Sequence, residues 1–503
     1  MPNRILILAV FVVASCGLAY ELIAAALSSY LLGDSILRFS TIIGSYLFAM
    51  GVGAALSKYV PEDKLVQRFV ELELLTGLIG GVSATMLMLV FAFSVAPFRT
   101  VLYALVMILG VLVGMEIPLV MRILNARQTE FRELIARVLT FDSLGALAVS
   151  LLFPLVLAPH LGLARSALLF GILNVLVALW TLRVFRAQAQ RCRLLAFKGS
   201  LVLGLLIAVF GVSGKLVDWS EKQLFGDEVI FAKTTDYQRL VLTRWKDDLR
   251  LYINGNLQFS SRDEYRYHEA LVHPSLAGLP WARSVLILGG GDGLALREVL
   301  KYSHIEQVTL VDLDPDMTRL FSSQPELVAL NQHAFADPRV KLVNADAALW
   351  LEESRDVFDV VIADFPDPSN FSLGKLYSVP FYRLVARHVS ENGLFAVQST
   401  SPYYAPNAYA SINATLRSAG WQTTPYHCYV PSFGEWGFVI GSKRAGYAPP
   451  QAYDVPLRFL DAASTQLMFT WPRDMQPREG EPNRLNTQSL VREFEQDWGS
   501  VIR

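Results

Sequence analysis

Seven apolar runs, near residues 5–32, 41–60, 72–95, 100–121, 142–160, 165–184 and 199–214, dominate the first 215 residues. Each is long enough to cross a hydrocarbon core of about 30 Å. A soluble fold has little room to bury so many uninterrupted segments. They predict a multi-pass α-helical membrane domain of about seven helices over 1–215, lying in the lipid bilayer. The apolar share of the whole chain, 53%, points the same way. Val13-Ala14-Ser15-Cys16 behind Arg4 has the form of a lipoprotein cleavage box, but the apolar run continues past Cys16 to Leu32, the length of a spanning helix and not of a signal core.

Lys and Arg concentrate in alternate loops. Lys58, Lys64 and Arg68, then Arg122, Arg127, Arg132 and Arg137, then Arg183, Arg186, Arg191, Arg193 and Lys198 stand against single arginines, Arg38, Arg99 and Arg165, in the loops between. Positive loops stay cytoplasmic, which places the N-terminus inside a cell (inner) membrane. An odd number of crossings would carry the rest of the chain to the far side and an even number would keep it inside, and both stay open. Glu21, Glu116 and Asp142 are ionisable groups inside the apolar runs. Such groups suit a cation path, or they are protonated or hydrogen-bonded between helices, with Asp142 a helix cap.

After Lys215 charged residues recur every few positions and apolar runs shorten to strand length. The pieces 228–233, 239–244 and 251–259, with a turn at Asn254-Gly255, read as a small β-meander over 216–280. From Ser284 strands and helices alternate, predicting an α/β Rossmann-like (class I methyltransferase-like) domain over 281–445. Residues 446–503 form a C-terminal extension without a readable motif. With charged residues at 18% and a net charge of −1, nothing provides the clustered cations that nucleic acid requires. Cys16, Cys192 and Cys428 are too scattered for a disulfide framework or a metal site, and no metal is expected.

Gly289-Gly290-Gly291-Asp292-Gly293 follows the first of these strands and precedes a helix, where glycines let backbone approach a ligand closely. Asp312, at the end of the next strand, can hold both ribose hydroxyls of a nucleoside, and Asp346-Ala347 after the third can reach the adenine amine. Acids at successive strand ends suit a nucleoside without phosphates. Asp292 would repel the carboxylate of S-adenosylmethionine but attract the lone ammonium of its decarboxylated form, by roughly 4 kcal/mol at 4 Å before desolvation. Asp364-Phe365-Pro366-Asp367-Pro368 sets two more carboxylates at a strand end. An amine acceptor is protonated at neutral pH, so Asp364 is expected as general base and Asp367 as an anchor.

Asp263-Glu264-Tyr265-Arg266-Tyr267-His268-Glu269, preceded by Asn254-Gly255-Asn256-Leu257-Gln258 and followed by His273-Pro274, resembles the substrate-covering signature of spermidine synthases, the polyamine aminopropyltransferases. The glycine turn with 296–300, Asp346-Ala347 and 364–368 match the family's other blocks in order, so the resemblance spans about 225–445. It implies nucleoside binding by Gln238, Gly289, Gly291, Asp312, Asp346 and Ala347. It implies polyamine or aminopropyl binding by Tyr267, His268, Asp292, Asp364 and Asp367. The implied reaction moves an aminopropyl group from decarboxylated S-adenosylmethionine, a co-substrate and not a cofactor, to putrescine or a related diamine. A homo-oligomer is implied by soluble members, which are commonly dimers or tetramers. The apolar half is similar to the spans of multi-pass bacterial members.

Phe365 and Pro366 replace the family's usual small residues, Ser369-Asn370-Phe371 replaces its Gly-Pro, and Phe433 stands where a tyrosine commonly meets polyamine. These departures leave the acceptor open. A methyltransferase on the same fold is a rival, opposed by Asp292 and the Asp364/Asp367 pair. A polyamine transporter or sensor without turnover is another, favoured by Glu21, Glu116 and the departures at Phe365, Pro366 and Phe433.

Overall fold

A computed structural model describes residues 2–32, 36–93, 95–125, 131–187, 189 and 191–501. The chain divides into two compact units, 1–229 and 230–503.

The first unit is helical: α1 (Pro2–Leu32), α2 (Ile36–Leu56), α3 (Leu65–Phe93), α4 (Val95–Asn125), α5 (Phe131–Leu152), α6 (Ala158–Val184) and α7 (Cys192–Phe225). Among the described residues the apolar stretches number six and not the seven expected. The fifth, Ile135–Val184, is 50 residues long, so at about 1.5 Å per residue it exceeds one hydrocarbon core more than twofold. It is interrupted by a π-helical turn at Phe153–Leu157 and by Gly162, whose φ of 73° and ψ of 170° are not helical. Two of the expected runs therefore share this stretch. α3 packs on α4, α6 and α7, and α2 on α4. These contacts use missing side chains: a Cβ on Gly114 would lie 2.1 Å from the Met50 carbonyl oxygen, and one on Gly171 would lie 2.5 Å from that of Gly77. Where water does not drive association, such close backbone packing does.

The second unit opens with a four-stranded sheet in the order β1 (Glu228–Thr234), β2 (Arg239–Trp245), β3 (Asp248–Ile253), β4 (Asn256–Ser260), then α8 (Glu264–Ala277). β5 (Ser284–Gly289), α9 (Leu294–Leu300), β6 (Gln307–Asp312), β7 (Val340–Asn344), β8 (Phe358–Asp364), β9 (Val389–Gln398), β10 (Gln422–Val430) and β11 (Gly434–Ser442) build a mixed sheet in the order β10-β11-β9-β8-β5-β6-β7. β5 to β9 are parallel, and β11 and β10 close one edge antiparallel. Both faces are covered. Val285 and Ile287 pack with α8 and α9, while Leu286 and Leu288 pack with the helix Val379–Arg387 and its neighbours, so the strands read as continuous apolar runs. Strand order reverses between β5 and β8, which opens a crevice at their carboxyl ends.

The C-terminal extension is tied to this core by buried polar groups. Glu269 of α8 accepts the backbone N–H groups of Arg458, Phe459 and Leu460 at 2.8, 2.9 and 3.0 Å. The Asn483 amide donates to the Gly374 and Tyr377 carbonyls.

Candidate active site

The glycine turn is shaped by what it must approach. Gly289, Gly290 and Gly293 have φ of 82°, 65° and 75°, the left-handed region that side chains disfavour. A Cβ on Gly289 would lie 2.3 Å from the Asp364 carbonyl oxygen, and one on Gly291 would lie 2.7 Å from the Asp312 carboxylate. Gly290 N–H donates to that Asp364 carbonyl at 3.1 Å, and Gly291 N–H donates to Asp312 Oδ2 at 3.1 Å. Asp292 accepts the N–H of Leu294 at 2.9 Å at the start of α9. The turn thus joins the ends of β5, β6 and β8.

Two groups of side chains converge there. In the first, His268, Asp292 and Asp364 offer atoms within 4.8 Å of one another, and the Tyr267 hydroxyl donates to Asp364 Oδ1 at 2.7 Å. Glu264, one turn before His268 on α8, holds His268 Nδ1 at 2.8 Å, and Arg297 of α9 clamps Glu264 with two bonds of 2.8 and 2.9 Å. Burial alone would lower the His268 imidazole, but Glu264 outweighs it and holds it up at about 9. Burial pushes Asp292 up to about 6, and it raises Asp364 against the opposing pull of His268 and Tyr267. A histidine protonated on both nitrogens is a donor and not a metal ligand, and its charge is balanced by Glu264 on one side and faces Asp292 and Asp364 on the other.

The second group holds Asp367, which accepts from Thr400 Oγ1 at 3.1 Å and Gln398 Nε2 at 3.3 Å, and which loss of hydration pushes up to about 7. Asp312 is likewise pushed up to about 7, burial outweighing the N–H groups of Asp314 and Gly291. Gln238 does not join the trio; its amide donates to Asp314 Oδ2 at 2.9 Å, beside the Thr235 hydroxyl at 2.8 Å. Asp346 caps the helix Ala347–Glu353 through the N–H groups of Ala348 and Leu349 and pairs with Lys375 at 2.7 Å, which lowers its carboxyl against the cost of burial. Phe433 packs edge-on against Tyr267 with ring centres 6.3 Å apart, and Ser432 is fixed to Asp263 by two bonds, at 2.6 and 2.9 Å.

Glu264, Arg297, Asp314, Lys375, Gln398 and Thr400 escaped sequence reasoning. Glu264 alone carried a local signal, its (i, i+4) spacing to His268 at an α8 face. The others act across 29 residues or more, as Lys375 on Asp346 and Thr400 on Asp367 do.

The spermine/spermidine synthase domain profile matches residues 264–448. Over 506 aligned residues, covering 100% of this chain and 99% of the relative, the sequence is 65% identical to polyamine aminopropyltransferase 2 of Ralstonia nicotianae. It is 49% identical to the polyamine aminopropyltransferase of Leptospira interrogans, covering 99% of both chains. The chain belongs to the polyamine aminopropyltransferase family. A crystal structure of spermidine synthase with the transition state analogue AdoDATO aligns at a TM-score of 0.46 and 24% identity, covering 54% of this chain and 89% of that one. The relatives in the family extend over the helical unit as well as the α/β unit, so this aminopropyltransferase shares both halves with them.

Proposed function

We propose that this aminopropyltransferase moves the aminopropyl group of decarboxylated S-adenosylmethionine to putrescine, giving spermidine and methylthioadenosine. The observation that carries the reading is the convergence of His268, Asp292 and Asp364 at the crevice where β5 meets β8. Asp292 holds the ammonium of the donor's propyl chain. Gly289, Gly291 and Asp312 receive the ribose, with Gln238, Asp346 and Ala347 around the nucleoside. Tyr267, His268 and Asp367 position the acceptor. Asp364 takes a proton from the acceptor ammonium, and the freed nitrogen lone pair attacks the propyl carbon bonded to sulfur. That C–S bond breaks with its electrons going to sulfur, so the sulfonium leaves as a neutral thioether. A carboxylate raised by burial is a stronger base, which suits the task. Positioning supplies most of the remaining acceleration.

The helical unit is read as a cell-membrane anchor with a cytoplasmic N-terminus, its stretch 135–184 crossing twice around Gly162. The chain comprises a membrane domain over 1–215, a substrate-covering β-rich domain over 216–280, a catalytic domain over 281–445 and an extension over 446–503, and acts as a homo-oligomer. Turnover by detergent-purified protein, given putrescine and either the decarboxylated or the ordinary donor, tests the reaction. Spermidine and methylthioadenosine are expected from the decarboxylated donor alone, and neither from Asp364→Asn. A methylated product from the ordinary donor, or no aminopropylated product with any diamine, overturns the reading.

A further inference from the structure

The helical unit carries polar groups that the transfer reaction does not use. Glu73 and Thr76 on α3, Tyr20 on α1, Glu116 on α4 and Asn174 on α6 are each at most 2% exposed. Among the described residues, Tyr20 Oη, both Glu73 carboxylate oxygens, Glu116 Oε1 and both Asn174 amide atoms have no hydrogen-bond partner. The five side chains share one neighbourhood. Glu73, Gly77 and Gly80 follow one face of α3 at helical spacing. The Tyr20 ring lies over Gly80, where a Cβ would come within 2.4 Å of Cζ, and Asn174 Cβ lies 3.2 Å from where a Cβ on Gly77 would stand. Glu116 lies within electrostatic reach of Glu73 and within hydrogen-bonding reach of Thr76, and no cationic side chain among the described residues acts on either glutamate.

Unpaired polar groups buried in an apolar bundle cost free energy. Ionisable groups in such surroundings are retained where they serve a function. We propose that Tyr20, Glu73, Thr76, Glu116 and Asn174 form a second binding site, for an alkyl diammonium ion. Each acid gives up its proton as the ligand binds, so two carboxylates then match two ammonium groups in charge, and the hydroxyls and the amide oxygen accept their remaining N–H bonds. Tyr20 also lines a small, mostly apolar cavity with Ile23, Leu105 and Leu109, into which Tyr46 and Ser83 bring two further side chains that carry hydroxyls. The choice of a diamine rests on the proposed reaction, whereas the site itself does not.

The test is equilibrium dialysis of the full chain in detergent with labelled putrescine. Two sites per chain are expected. Glu73→Gln with Glu116→Gln should leave one site and unchanged turnover, and Asp292→Asn with Asp364→Asn should leave the other site and no turnover. Two sites that survive the glutamine pair, a single site lost in the asparagine pair, or displacement of the helical-unit site by excess sodium or potassium overturns the inference. If the glutamine pair does not purify, labelling of Glu73 and Glu116 by a hydrophobic carbodiimide, mapped by mass spectrometry, decides. Putrescine should protect both residues, and labelling that is absent or insensitive to putrescine overturns the site. Retention of the helical-unit site by an unsubstituted chain that makes no spermidine from the decarboxylated donor would sink the proposed reaction and leave this inference standing.

Discussion

The two units treat buried charge in opposite ways. In the α/β unit Glu264 is held by Arg297 and His268, and Glu298 by Arg297, His273 and Lys301, every contact at 2.6 to 2.9 Å. In the helical unit both Glu73 oxygens and Glu116 Oε1 are buried without a hydrogen-bond partner. Paired charge fixes geometry: the Arg297–Glu264–His268 chain locks α8 to α9 and sets the imidazolium beside Asp292 and Asp364. An acid left without partners leaves room for something to bind. Breaking a satisfied pair therefore costs more than neutralising an unsatisfied acid.

That contrast can be broken or sharpened by experiment. Asp364→Asn should reduce kcat by about 10²–10⁴ with little change in donor Kd, read by steady-state kinetics and calorimetry. Unaltered kcat would move the base elsewhere. Glu264→Gln removes the acid that Arg297 and His268 share and leaves Arg297 with Glu298 alone, so chemical denaturation should show a loss of about 3 kcal/mol. A loss under about 1 kcal/mol would mean that the pair carries no structural weight.

Binding of the cationic substrates should weaken as pH falls. In the proposed reaction Asp367, at about 7, and Asp292, at about 6, hold ammonium groups only when ionised, so affinity should drop across pH 7 to 6 as each becomes neutral. The limit for one proton is about tenfold per pH unit. At the upper end His268 loses its proton through about 9. Affinity that is flat between pH 6 and 8 would remove these acids from the binding step. Tyr267→Phe deletes the 2.7 Å bond to Asp364 and should lower kcat about tenfold, consistent with a bond worth roughly 1.5 kcal/mol to a charged group, with KM for the donor preserved. The smallest effect belongs to the helical unit. Glu73→Gln should change the melting free energy by less than about 1 kcal/mol, because no partner is left stranded. A loss as large as that for Glu264→Gln would erase the contrast.

Much of the α/β unit was legible along the chain because its signals are local. Strand-length apolar runs, the glycines at 289–293 and acids at the ends of β6 and β8 depend on neighbours within a few residues, and strand order then brings those ends side by side. The helical runs were legible for the same reason, although their count was not. Length and composition mark apolar helix, but only backbone geometry at Gly162 shows where one 50-residue stretch breaks.

Partnerships are what the sequence by itself could not supply. Gln238 meets Asp314 across 76 residues, Lys375 meets Asp346 across 29 and Arg297 meets Glu264 across 33. Glu116 was singled out from the sequence as an acid in an apolar run, but Glu73 was not, and their encounter depends on how α3 packs against α4. Local periodicity and residue chemistry determined which elements form and which acids lie at their ends. Tertiary packing decided which charges are satisfied and which stay open, because a hydrogen bond requires a partner within about 3 Å, and helix and strand packing alone bring such distant residues that close.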